Sequence, residues 1–170
     1  FFVSAFAGSL PPKRSGLLDG LELMSWDQIR EIRKHGVHVE CHTHHHTNVM
    51  ELSDEEMRCE LRDSKEAIER ETGTTVQYFA FPWGHAGAVS EGLAESLRSM
   101  GFKAAFTTMW GPVKTISDAN CFLLPRLDIA PEDTIDDFRR KLVGCYDYLA
   151  AVHRAKYAYH TVRRRLRRSN

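Results

Sequence analysis

The side chains able to do chemistry are concentrated in one short run. Six of nine histidines lie between positions 35 and 46, and the densest stretch reads Cys41-His42-Thr43-His44-His45-His46-Thr47. Neutral imidazole is the commonest protein ligand for zinc, and histidines four residues apart can reach one ion when the backbone turns between them. His42 and His46 have that spacing. From spacing alone the run is either part of a metal site or a polar surface loop rich in histidine. Its internal, interrupted placement argues against an expression tag. His44 and His45 read as solvent-facing or supporting groups. A catalytic zinc usually takes three protein ligands and keeps one position open. Glu40, His38, Asp128 and His85 are candidates for the third, and spacing selects none of them. The four cysteines, Cys41, Cys59, Cys121 and Cys145, suggest neither a cysteine zinc site nor a disulfide framework.

The elements around the run place it at a strand end. VHVEC reads as a strand finishing near His42, with His38, Glu40 and His42 on one face and Val37, Val39 and Cys41 on the other. Ser25 with Gln28 forms a capping box that opens a helix to about His35, stopped at Gly36. Ser53 with Glu56 opens a longer helix to about Thr72, stopped at Gly73, with Met57, Leu61, Ser64, Ala67 and Ile68 at helical spacing. FFVSAFA and VQYFAF read as strands, the second ended by Pro82 and Gly84. Ser90 to Met100 reads as a helix, KAAFTT as a strand and LLPRLDI as another. Thr134 with Asp137 opens a helix to about Val143, and a further helix follows Gly144. Strands alternating with helices predict a parallel sheet, doubly wound or closed as a barrel. Both architectures put their chemistry at the C-terminal strand ends, where the histidines fall.

Composition narrows the class. The 170 residues suit one domain, and 42% apolar residues suit a folded one. Lys+Arg and Asp+Glu both number 23, which argues against a chain basic throughout and built to coat nucleic acid. No run approaches the roughly 20 apolar residues of a membrane-spanning helix. The zero net charge is a cancellation. Residues 148–170 carry seven basic and no acidic side chains, and the rest carry 16 basic and 23 acidic. The chain divides into a body, residues 1–144, and a basic C-terminal helix or tail, residues 145–170. Packing of the tail through its apolar residues is the favoured reading, and contact with an anionic membrane surface is its alternative.

In order and spacing, the motifs resemble those of the polysaccharide deacetylases of carbohydrate esterase family four, across most of residues 1–130. FFVSAFAG resembles the strand after the family's first motif. GVHVECHTHHH resembles its metal motif, and LSDEE (Leu52 to Glu56) the start of the next helix. FAFPWG, from Phe79 to Gly84, resembles the third motif, and GFKAAFTT and LPRLDI the later strands. The resemblance implies a distorted, incomplete (β/α) barrel of parallel strands and helices, here lacking its first strand, in residues 1–144. It implies a divalent metal, most often zinc, held by His42 and His46, and metal-assisted removal of N-acetyl groups from an amino-sugar polymer. It also implies that the backbone N–H of Trp83 holds the oxyanion.

Three departures qualify that expectation. The family's paired aspartates would lie upstream of Phe1, so the chain reads as an N-terminally truncated domain with little activity of its own. Ala80 stands where an arginine is frequent. LPRLD lacks the late histidine. Arg126 could orient an upstream carboxylate in place of the lost arginine, or could pair with a structural carboxylate such as Asp128. Pro82, Trp83 and Trp110 are the candidate sugar-contacting residues, with ordinary burial the alternative for the tryptophans; Trp26 reads as core. The competing functions are a non-catalytic carbohydrate- or metal-binding domain and a hydrolase of another non-peptide C–N bond. The resemblance suggests work at the cell envelope or outside the cytoplasm.

Overall fold

A computed structural model of the protein describes residues 2–3, 23–113, 115–117 and 120–168. Four strands, β1 (Phe2–Val3), β2 (Glu40–Cys41), β3 (Tyr78–Ala80) and β4 (Ala104–Phe106), form one parallel sheet in the order β1-β2-β3-β4. Strand order follows chain order because each connection carries a helix back over the sheet. Those helices are α1 (Trp26–Lys34), α2 (Asp54–Thr72) and α3 (Ala94–Ser99), followed after β4 by α4 (Ile135–Leu142) and α5 (Leu149–Arg168).

Register assigns each face. Val3, Cys41, Phe79 and Ala105 lie in one row across the sheet, and all four belong to the buried core beneath the helices. Met57, Leu61, Ala67 and Ile68 of α2 fill that core from above, with Ser64 bonded to the Cys41 thiol at 3.3 Å. The opposite row carries Phe2, Glu40, Tyr78, Ala80 and Phe106. Phe2 and Phe106 are on the two outer strands, about 14 Å apart in a flat four-stranded sheet at roughly 4.8 Å per strand. Their rings nevertheless meet at 5.5 Å. The sheet therefore curls into an open, incomplete (β/α) barrel with this row on its concave side.

All three predicted capping boxes form, at Ser25/Gln28, Ser53/Glu56 and Thr134/Asp137. Gly73 ends α2 in the left-handed conformation that glycine adopts without strain. Trp26 packs half-buried against the core. Other expectations shift. The 90–100 segment is a short 3-10 turn (Glu91–Leu93) and then α3, without a side-chain cap at its start. LLPRLDI pairs with the sheet only through a single bridge from Leu124 to Phe106. Pro125 has no N–H to continue a ladder. Most of FFVSAFA and the PPKRSG loop lie outside the described residues.

Candidate active site at the C-terminal strand ends

His42 follows β2 directly, in the row that faces the concave side. Its Nδ1 lies 2.7 Å from the carbonyl oxygen of Ala80 on the neighbouring strand. A carbonyl only accepts, so Nδ1 carries the proton and Nε2 carries the lone pair. The backbone then reverses. Thr43, fully buried, has φ 64°, and its hydroxyl accepts the N–H of Thr47 at 3.2 Å. His46 has φ 56°, and its ring meets that of His42 at 4.7 Å. After β3, Trp83 has φ 65° and presents its ring edge-on to His46 at 5.8 Å. Among the described residues these three are the only non-glycine positions with positive φ. A left-handed β-branched or bulky residue is costly, and such strain gathers where a site demands it.

Two further devices hold the loops. Gly84 N–H donates to Pro82 O at 2.8 Å, closing a tight turn about Trp83, and Thr108 beyond β4 clasps it. Thr108 N–H donates to Gly84 O at 2.9 Å, and the Thr108 hydroxyl to Trp83 O at 2.9 Å. On the other side Glu60 of α2 reaches the histidine loop. Its Oε2 accepts the N–H groups of His44 and His45 at 3.0 and 2.9 Å, and its Oε1 meets His45 Nδ1 at 2.6 Å. The sequence reading did not single out Glu60. Its only signal was the placement of an acidic residue on the face of α2 that meets the loop. Glu60→Ala is expected to lower stability by about 1–3 kcal/mol, because the part-buried His44 N–H and the more exposed His45 N–H lose a charged acceptor. Glu60→Gln keeps one acceptor and should recover most of that loss in thermal denaturation.

The remaining candidates fall elsewhere. Glu40 is buried, with Oε2 accepting the N–H groups of Gln77 and Tyr78 at 2.8 Å each, where β3 begins rather than ends. His38 is exposed before β2, Asp128 is exposed, and His85 is exposed with Nδ1 accepting the Gly87 N–H. Cys41 is buried on the opposite face, bonded to Ser64 of α2, and desolvation pushes its thiol up to about 11. His44 Nδ1 is buried with no hydrogen-bond partner.

Pro82 is fully buried beneath the turn, whereas Trp83 is 49% exposed. Trp110 turns toward the C-terminal helices. Its backbone N–H donates to His153 Nδ1 at 2.8 Å, and its ring meets Tyr146 at 5.7 Å and Lys141 Nζ at 5.4 Å. Arg126 Nε donates to Thr107 O at the end of β4, and its guanidinium lies over Phe2 at 5.4 Å. Burial lowers the Arg126 pKa, opposed by the charge of Asp128.

The oriented imidazole pair fits the nitrogen share of a divalent-metal site. Among the described residues no group of three His, Cys, Asp or Glu side chains completes one.

Comparison with known proteins gives a consistent picture. A polysaccharide deacetylase from Bacillus cereus is 25% identical, with a TM-score of 0.59 over 73% of this chain and 38% of its own. The Streptococcus pyogenes deacetylase PplD, solved with acetate, is 20% identical, with a TM-score of 0.62 over 73% of this chain and 53% of its own. A de-N-acetylase from Aggregatibacter actinomycetemcomitans is 18% identical, with a TM-score of 0.63 over 83% of this chain and 63% of its own. The latter two speak to the fold. The chain thus spans less than two thirds of each of these structures. No curated protein matches it. The polysaccharide deacetylase family model matches residues 1–105, containing both histidines and the Trp83 turn, and the chain belongs to that family.

Proposed function

We propose that this chain contributes the imidazole ligands and the oxyanion wall of a metal-dependent hydrolase that removes N-acetyl groups from an amino-sugar polymer. The observation that carries the reading is the convergence of His42, His46 and Trp83 at one end of the parallel sheet, each ring in contact with the next. Strained backbone at Thr43, His46 and Trp83 supports it further.

In this proposal His42 and His46 hold the ion through imidazole nitrogens. His42 is held in the required tautomer by Ala80 O and braced by β3. A divalent cation there, zinc by its affinity for imidazole, supplies Lewis-acid polarisation of the amide carbonyl. The N–H of Trp83 donates to the oxygen that becomes negative as the carbonyl carbon turns tetrahedral. The exposed Trp83 indole, with Pro82 beneath it, offers a flat apolar wall for a sugar ring. Trp110 keeps its ring against Tyr146 and Lys141 Nζ and is not part of this wall. Arg126, half-buried at the end of β4, orients a carboxylate. Residues 1–144 carry this chemistry, and residues 145–170 form the basic C-terminal helix. The oxygen ligand and the base belong to the paired-aspartate motif, which has no counterpart in residues 1–170. An extracytoplasmic polymer is the substrate that goes with this reading.

Two readouts test separate parts. Zinc titration of the 170-residue chain against a chromophoric chelator should show binding. Acetate release from chitin oligomers by the same chain should be slow, since two ligands without a base do not complete the reaction. Failure of the wild-type chain to bind any divalent metal removes the metal reading. Rapid acetate release by these 170 residues removes the assignment of base and third ligand to the missing motif.

A further inference from the structure

The C-terminal helix α5 is packed along one side only. Ala150 is buried, His153 accepts the Trp110 backbone N–H, and Tyr157 packs against the core. On the opposite side Val152, Tyr159, Val162 and Leu166 are 44–64% exposed, and Tyr148 in the turn before the helix is 66% exposed. At about 100° per residue these four helical residues fall within an arc of roughly 80°, an apolar stripe from Val152 to Leu166. Isolated exposed apolar residues are ordinary, but a continuous stripe of this length is the mark of a covered surface.

The surrounding charge indicates what covers it. The stretch from Tyr148 to Asn170 carries seven basic and no acidic residues, whereas the rest of the chain is net acidic. Exposed Lys156 and Arg163 lie along one flank of the stripe. An apolar stripe beside a basic flank, on a segment with no acidic residue, matches a helix lying in the plane of an anionic bilayer surface. An acidic polymer would satisfy the cations and leave the stripe in water. No helix among the described residues is long and apolar enough to cross a membrane, so the contact is interfacial.

We infer that α5 docks the protein onto anionic lipid bilayers, with the Val152–Leu166 stripe inserted and the flanking Lys156 and Arg163 against the headgroups. The helix also packs on the candidate site's loops. Gly87 lies so close to the His160 ring that a Cβ there would be 3.2 Å from Cε1. Docking therefore brings the Trp83–Gly87 loop close to the bilayer. The inference stands independently of metal chemistry.

Co-flotation of the full chain with vesicles tests it. One set is phosphatidylcholine alone, and the other contains phosphatidylglycerol at about one third of the lipid. Partition onto the anionic vesicles is expected to exceed that onto neutral ones by at least about 10-fold and to fall by a similar factor in high salt. Tyr159→Glu combined with Leu166→Glu should abolish it. Lys156→Glu with Arg163→Glu, confined to exposed positions, should weaken it at least about 10-fold without touching the stripe, with circular dichroism confirming both folds. Equal partition onto neutral vesicles, or none onto anionic ones, overturns the inference. Self-association in light scattering that the stripe variant abolishes, without vesicle binding, overturns it in favour of a second copy.

Discussion

Alanine in place of His42 is expected to lower the zinc affinity of the chain by at least about 100-fold, beyond the about 10–100-fold that loss of a merely supporting group costs. The expectation follows from how His42 is held. Its Nδ1 is bonded to Ala80 O at 2.7 Å, so the ligand nitrogen is set by a strand-to-strand contact rather than by a flexible loop. Its ring lies 4.7 Å from His46, so losing it leaves a single imidazole. Competition titration with a chelator at constant pH measures the effect, and thermal unfolding separates it from loss of fold. His38→Ala is the informative control, because His38 is exposed at the other end of β2. It should bind zinc as the wild type does. Equal losses in the two variants would sink the assignment of the pair.

Gly84→Ala should cost about 2–5 kcal/mol of stability, the sum of a left-handed residue bearing a Cβ (about 1–2) and overpacking (about 1–3). Gly84 has φ +54°, and a Cβ built there would lie 2.6 Å from Thr108 N and 2.9 Å from Thr108 Cγ2. The nearer atom is backbone, so relief requires β4 and the Trp83 turn to separate. That movement strains the bonds from Thr108 to Gly84 O and Trp83 O, and Trp83 loses its position over His46. Chemical denaturation measures the stability, and the tryptophan emission spectrum reports the indole's surroundings. A variant within about 0.5 kcal/mol of the wild type would show that the clasp is softer than its geometry.

The legibility of this chain varies with the range of the interactions involved. Capping boxes join residues three apart, and all three were readable. The alternation through His38, Glu40 and His42 and the turn chemistry after Phe81 are equally local. They placed His42 on the concave face and Trp83 in the loop after β3. What escaped was long-range. Glu60 lies 15 and 16 residues from the N–H groups it holds, and no spacing rule joins α2 to the histidine loop. Glu40 looked like an oxygen ligand because it shares a face with His42. Parity assigns a face and not a height, and the backbone N–H groups of Gln77 and Tyr78 occupy one of its oxygens at the other end of the strand. The LLPRLDI strand was overread because its apolar content masked the effect of Pro125. The contact between Phe2 and Phe106, which reveals the curl, joins residues 104 apart in the chain.

The bond between His42 and Ala80 carries an evolutionary consequence. Because side chains alternate along a strand, the face that His42 occupies depends on whether an even or an odd number of residues separates it from its anchor in the sheet. Cys41 pairs with Phe79, and His42 reaches Ala80 one step further on. Inserting one residue between them would swing the imidazole under α2, into apolar packing, however faithfully the histidine motif itself were copied. Two would restore the face but overshoot the carbonyl. In descendants of this chain, length drift should therefore accumulate in the helix-to-strand connections, while the count of residues from Cys41 to His46 stays invariant.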